Sequence, residues 1–403
     1  MKNIWIVAPF TGVEENNYRN RFPYIAKMLS DRGYNVTLIT SQFSHFNKVH
    51  ILQENLKYPF RVELLYEKGY RKNVSLSRIV SHSVFSKKLK KWMLNSLIKP
   101  DIIYVAYPTM TAANEVVKYA KLNDIPVILD IQDTWPESIS AAIDTEKWYI
   151  KLLLMPLINK ANSIYKSVDA IIGVSKTYIE RAKIPNTNSK FFEYVYIGSD
   201  LGEYDSKELN DLSLLKNEGE IWITYIGTLS YSYDIETAII AVGELGGAYN
   251  IKLNILGDGP NISRLKELAK KNETLNYSVF FKGYLPYSEM VSFLSNSDIA
   301  LNAIKGSSKA TITNKFGDYL FAGLPILNCC ESIEIKNLIN EYNLGINYKS
   351  GEVDSLKFAI TKLIDNEDIR KKQSLNSKKL AIKFFNREIS YRVILDRVEY
   401  FLK

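Results

Sequence analysis

Short apolar runs alternate along this chain with longer stretches in which apolar residues recur every three or four positions. That alternation predicts strands interleaved with helices, and so parallel sheets covered by helices. Residues 3–8 read as a first buried strand. Residues 20–32 read as a helix with Phe22, Ile25, Ala26 and Leu29 on one face and Gly33 as its stop. Strands follow at 35–40, 101–106, 126–130 and 170–174, with a helix near 111–122. The theme restarts near residue 220, with strands at 220–226, 251–256, 278–281, 299–302, 325–328 and 345–347 and a helix near 235–245.

The 403 residues therefore divide into two doubly wound parallel-sheet domains of α/β class rather than a short-period repeat. The expected boundaries are 1–200 for the first domain and 220–386 for the second. A polar linker at 201–219 (Glu203, Asp205, Lys207, Glu208, Asn210, Asp211) joins them. A last helix at 387–403, with Ile389, Val393, Ile394, Val398 and Phe401 at helical spacing, is expected to return to the first domain. In open α/β sheets ligands bind outside the carboxyl ends of the strands. Two such domains facing one another would place a ligand in the cleft between them.

Composition narrows the classes. Hydrophobic residues make up 46% and charged residues 24%, ordinary for a soluble globular protein. No run approaches the length of a membrane span, and Met1–Pro9 does not read as a signal peptide, so a cytoplasmic location is expected. The two cysteines, Cys329 and Cys330, are adjacent, and the histidines (His45, His50, His82) are scattered; neither set suits a metal centre. The net charge is +8, and one dense basic cluster lies at 84–98, where Val84, Phe85, Leu89, Trp92, Met93 and Leu97 recur among Lys87, Lys88, Lys90 and Lys91. This amphipathic segment reads either as a membrane-surface element on the inner face of a membrane or as a helix packed on its own domain with solvated lysines. No nucleic-acid-binding module is present.

Candidate chemistry sits at strand ends. In the second half Gly227-Thr228, Gly257-Asp258-Gly259-Pro260 and Gly283-Tyr284-Leu285-Pro286 close three strands, and glycine there permits close approach of a phosphate or simply makes a turn. The strongest segment is 311–326. Thr313 or Asn314 is a credible N-cap, Gly323 a credible stop, and the helix start offers free amides and a positive dipole end to a diphosphate. Lys315 adds a charge, and Asp318, one turn in, suits ribose hydroxyls or solvent. In the first half, Asp130-Ile131-Gln132-Asp133-Thr134-Trp135-Pro136-Glu137 follows a buried strand; acids beside an aromatic ring suit a sugar, or a capped helix start. The loop at 10–19, with Gly12, Asn17, Tyr18 and Arg19, lies at another strand end.

Together these residues resemble the family 4 glycosyltransferases, retaining enzymes of the GT-B fold, over nearly the whole chain. Arg32–Thr40 and Gly173-Val174-Ser175-Lys176 are similar to first-domain strands of that family, Ile197-Gly198-Ser199-Asp200 to its Asn-Gly-Val-Asp turn, and Gly257–Pro260 to its Gly-x-Gly-Pro loop. Asn314–Pro325 and Asp133-x-Trp135-Pro136-Glu137 resemble the branch containing N-acetyl-fucosamine-type transferases of surface polysaccharide assembly. The resemblance implies transfer of a sugar from a nucleoside diphosphate, UDP favoured, to a hydroxyl of a lipid-linked oligosaccharide or other glycan, without a metal and with retained configuration. It implies a base near Tyr284 and Leu285, a ribose at Asp318, and a diphosphate at Gly227, Thr228, Gly257, Thr313, Asn314, Lys315 and Phe316. The acceptor would lie near Gly12, Asp133 and Glu137. Two departures stand out. The family's pair of glutamates is here Ala310 and Asp318, and basic residues common in the family are replaced by Thr228 and Tyr233, leaving Lys315, with Lys305 or Lys309, to carry the charge. A sugar-nucleotide 2-epimerase and a non-catalytic sugar-nucleotide or glycan-binding subunit are the competing readings.

Overall fold

The computed structural model describes every residue except 14–17, 46, 53–55, 73–74, 142–146, 186–188, 206–215 and 307–311. Among the described residues thirteen strands form two parallel sheets. The chain divides into two compact units, Met1–Tyr196 with Tyr391–Lys403, and Ile197–Ser390.

The first unit's sheet contains β1 (Asn3–Val7), β2 (Asn35–Ser41), β3 (Arg61–Leu65), β4 (Ile102–Tyr107), β5 (Val127–Ile131), β6 (Ala170–Gly173) and β7 (Phe191–Tyr194) in the order β3-β2-β1-β4-β5-β6-β7. The central strands are buried on both faces, which is why they read as unbroken apolar runs. The edge strands β3 and β7 are half-exposed and polar-interrupted, and their pattern did not announce them. Strand order reverses between β1 and β4, the switch point of a doubly wound sheet. A buried ion pair ties this region together. Arg21 Nε donates to Asp130 Oδ2 at 2.8 Å, its Nη1 to the Val195 carbonyl at 3.0 Å, and Tyr104 Oη also donates to Asp130.

The basic segment lies on helix Leu76–Asn95, whose Ser75 cap accepts from the Arg78 amide at 3.3 Å. Phe85, Leu89 and Met93 are buried, and the Trp92 ring packs 4.7 Å from that of Trp5. Phe85, Leu89, Trp92 and Met93 of the apolar stripe thus face their own domain, whereas Leu97, just past the helix, is fully exposed, and Lys87, Lys88, Lys90 and Lys91 are exposed. The final stretch is two helices, Arg387–Ser390 and Arg392–Leu402. Tyr391, between them, is buried against Tyr24 at 5.4 Å and lies under the Arg21 guanidinium at 4.8 Å. Ile394, Leu395 and Val398 join the first unit's core.

The second unit's sheet contains β8 (Ile221–Ile226), β9 (Ile251–Leu256), β10 (Val279–Gly283), β11 (Ile299–Asn302), β12 (Ile326–Asn328) and β13 (Gly345–Asn347), ordered β10-β9-β8-β11-β12-β13. Its switch point falls between β8 and β11. Cys329 and Cys330 follow β12, and both are buried.

Candidate functional site

The site is built at the carboxyl end of β8, beside that switch point. Helix Asn314–Phe321 begins there, with Thr313 as an extended N-cap whose side chain makes no capping bond. Its Oγ1 is buried and has no partner among the described residues. The first amides of any helix lack intrahelical acceptors, so this end carries donors and a partial positive charge.

Lys315 turns from this first turn into the unit. Its ammonium lies 4.4 Å from the Tyr225 ring centre and 3.9 Å from that of Tyr233, and donates to Tyr225 Oη at 3.2 Å. Among the described residues no carboxylate pairs with it. Burial alone pulls its pKa down to about 7. Two aromatic faces stabilise a cation without neutralising it, so an anion arriving here meets an uncompensated charge. A side chain at Gly227 would come within 3.0 Å of Lys315 Nζ, and the glycine keeps that approach open. Tyr233 is the position where the family resemblance led one to look for a cation. Here its ring supports Lys315 instead.

The glycine loops pack on one another. The Gly227 amide donates to Leu256 O at 2.9 Å and the Gly257 amide to Gly283 O at 2.7 Å, so these two donors serve protein carbonyls. Gly257 has φ +134°, and a Cβ there would sit 1.9 Å from Gly227 O. A Cβ at Gly259 would lie 2.6 Å from Leu229 O. Backbone-to-backbone contact between the two loops is therefore what demands glycine at 257 and 259. Thr228 is exposed, and its carbonyl accepts from Tyr225 Oη at 2.8 Å. Tyr284 stands 76% exposed after β10, with Leu285 half-buried beside it. Asn314 is exposed, whereas Phe316 faces inward, its ring 6.0 Å from Phe385.

Asp318 is buried, and its Oδ1 accepts from Tyr204 Oη at 2.9 Å, Tyr287 Oη at 2.9 Å and Ser199 Oγ at 3.1 Å. Burial raises its pKa, and the three hydroxyls oppose that rise. An oxygen so occupied leaves a ribose only Oδ2. The carboxylate ties the helix to the turn at Ser199 and to helix Tyr287–Ser295. The side chain one methylene shorter than glutamate thus stays inside the unit.

In the first unit, Asp133 is half-buried two residues past β5, and burial raises its pKa. Glu137 forms an ion pair with Arg181, which also donates to Asn162 Oδ1 at 2.9 Å. Its Oε2 is buried without a partner among the described residues. Gly12 accepts at its carbonyl from Asn20 at 2.9 Å, and Tyr18 packs edge-on against Tyr58. Asn17, Lys309 and Ala310 lie outside the described residues.

Sequence reading passed over Tyr204, Tyr225 and Tyr287. Tyrosine numbers 27 in the chain, and a hydroxyl's or ring's role here emerges only when residues 31, 90 or 114 positions apart meet.

Comparison with known proteins bears on this site directly. Residues 206–380 match the family described as glycosyl transferases group 1. The chain is similar to an uncharacterized glycosyltransferase of Methanocaldococcus jannaschii, 25% identical over 58% of this chain and 60% of the relative. It is also similar to an alpha-monoglucosyldiacylglycerol synthase of Streptococcus pneumoniae, 26% identical over 43% of this chain and 40% of the relative. The chain thus spans less than two thirds of the length of either relative. Among solved structures, sucrose-phosphate synthase of Thermosynechococcus elongatus superposes with TM-score 0.75 at 12% identity, covering all of both chains. Anabaena HepE, solved with UDP-glucose, gives 0.68 at 15% identity, covering 99% of this chain and all of that one. The fold is GT-B.

Proposed function

We propose that this protein is a retaining glycosyltransferase that takes a sugar from a nucleoside diphosphate, UDP favoured, and moves it to a hydroxyl of a lipid-linked oligosaccharide or related glycan in surface polysaccharide assembly. The observation that carries this reading is Lys315: a buried ammonium, ringed by Tyr225 and Tyr233, without a carboxylate partner among the described residues, at the start of a helix. Such a site suits a diphosphate leaving group, whose developing charge the ammonium and the helix amides would stabilise in a water-poor setting. HepE structures with UDP and with UDP-glucose support the donor class. A relative named alpha-monoglucosyldiacylglycerol synthase supports a lipid-borne acceptor.

In this scheme the diphosphate meets Lys315, Thr313 and the open side of Gly227, and the base lies near Tyr284. Asp318 positions the helix through its three hydroxyl partners. The attacking acceptor hydroxyl approaches from the face the leaving group departs, and the leaving phosphate takes its proton. The new C–O bond forms as the sugar–phosphate bond breaks, and configuration is retained. No protein nucleophile is required.

Calorimetry with UDP and GDP in the presence of EDTA tests the donor site. UDP binding that Lys315→Met abolishes supports it, and absence of binding by either nucleotide refutes it. Product analysis then separates transfer to an acceptor from release of an epimerised nucleotide sugar.

A further inference from the structure

Helix Trp148–Lys166 has two unlike halves. Its C-terminal half packs into the first unit through Ala161, Ile164 and Tyr165. Its N-terminal half projects. Trp148 is 76% exposed, Leu152 58% and Leu153 72%, with Tyr149 and Met155 also open; of the large apolar residues there, Leu154 alone is buried. Pro156 marks the join, where a helix forgoes one hydrogen bond. Ten residues of helix make a rod of roughly 15 Å that is apolar on nearly every side. A soluble domain rarely leaves so contiguous an apolar patch open without a partner for it.

The surrounding charge says what kind of partner. From Lys147 to Lys166 the chain carries four lysines and no Asp or Glu, although the whole chain has 44 acidic residues. Helix Leu76–Asn95 likewise carries Arg78, Lys87, Lys88, Lys90 and Lys91 and no acid. Both helices pack on helix Met110–Asn123, so they share one side of the sheet. A tryptophan and a tyrosine at the tip of an apolar rod, carried by one of two helices that hold lysines and no acids, complement an anionic bilayer surface: rings at the headgroup level, leucines below it, lysines on the phosphates. A second copy of this chain fits less well, because a two-fold pairing of the rod would oppose Lys147 and Lys151 to themselves. No helix among the described residues is long and apolar enough to cross a membrane, so the rod would lie in the interface.

We infer that the projecting half, Trp148–Leu157, is the element by which this protein docks on anionic membrane, with helix Leu76–Asn95 contributing lysines rather than its apolar face. The inference draws on the proposed function only for its lipid-linked acceptor. The test is flotation of the full chain with vesicles of phosphatidylcholine, with and without phosphatidylglycerol, for the wild type, Trp148→Glu/Leu153→Glu and Lys147→Glu/Lys151→Glu. The wild type should float with the anionic vesicles, and each double variant should bind them at least roughly tenfold more weakly. An unchanged thermal melt shows that the variants are folded, since every altered side chain is exposed. A wild type that does not float overturns the inference, as does a Trp148→Glu/Leu153→Glu variant that floats equally well. Self-association that this variant abolishes, without flotation of the wild type, assigns the rod to a second copy instead. Flotation without UDP binding overturns the proposed donor site and leaves this inference standing.

Discussion

Replacing Lys315 by methionine keeps an unbranched stem between Tyr225 and Tyr233 and removes the charge. Burial holds the lysine at about 7 against an ordinary 10.5, a gap worth on the order of 5 kcal/mol between its two protonation states. A diphosphate beside the ammonium returns that energy by favouring the charged form, so binding must draw a proton from solution. With the free group near 7, uptake should climb from ~0.1 proton at about pH 6 to ~0.5 at about pH 7 and ~0.9 at about pH 8. Over the same interval Lys315 should weaken UDP binding by roughly tenfold, because the competent, protonated fraction shrinks. The assay is calorimetry in paired buffers of different ionisation enthalpy. Lys315→Met reports the nucleotide's own titration, and the difference between the two proteins belongs to the lysine. The sign for stability is separate and also testable. Between about 7 and 10.5 the unfolded chain holds a proton that the folded chain has released, so the contribution of this group to stability rises with pH across that window. UDP bound equally by wild type and Lys315→Met, with identical proton uptake, would refute the assignment of this lysine to the phosphate site.

Other substitutions probe the supports. Gly257→Ala must place a Cβ against Gly227 O in a left-handed backbone, and should lower stability by on the order of 2–4 kcal/mol in urea unfolding. Tyr287→Phe removes one donor from Asp318 Oδ1 and should cost about 1–3 kcal/mol when the carboxylate is charged. Because burial raises that carboxyl's pKa, the penalty should shrink as pH falls and the group protonates; a loss independent of pH would show that the tyrosine matters through packing. Asp130→Leu leaves the Arg21 guanidinium buried and unpaired, with an expected loss of about 3–5 kcal/mol, and Arg21→Met in the same chain should restore much of it. Additive losses in that double variant would count against a direct pair.

What the sequence disclosed follows from which forces are local. Central strands such as β4 are sealed on both faces, so their apolar runs announced them, and helix Asn314–Phe321 began where Thr313 and Asn314 signalled a cap. Edge strands β3 and β7 carry polar residues to the half-open rim and were silent. Glycines at 227, 257 and 259 were visible as turns, but their loop-to-loop contact required knowing that β8 and β9 are neighbours. Lys315 was legible as a charge near a helix start. Its tyrosine surround was not, since Tyr225 lies 90 positions away and a tyrosine at a strand end looks like any other core ring. Asp318 shows the same limit from the other side: a carboxylate one turn into a helix suggested an exposed acceptor, and three hydroxyls from distant segments occupy it.

The chain leaves its first unit at Tyr196 and re-enters it at Tyr391. Ribosomes add ~5–20 residues each second, so the intervening segment takes roughly 10–40 s to emerge. Throughout that interval the pocket that receives Ile394, Leu395 and Val398 stands empty, with the guanidinium of Arg21 uncovered by Tyr391. Newborn copies therefore expose a sticky seam until residues 391–403 have emerged, and a chaperone or protease reading that seam would discriminate chains that carry this segment from chains stalled before it.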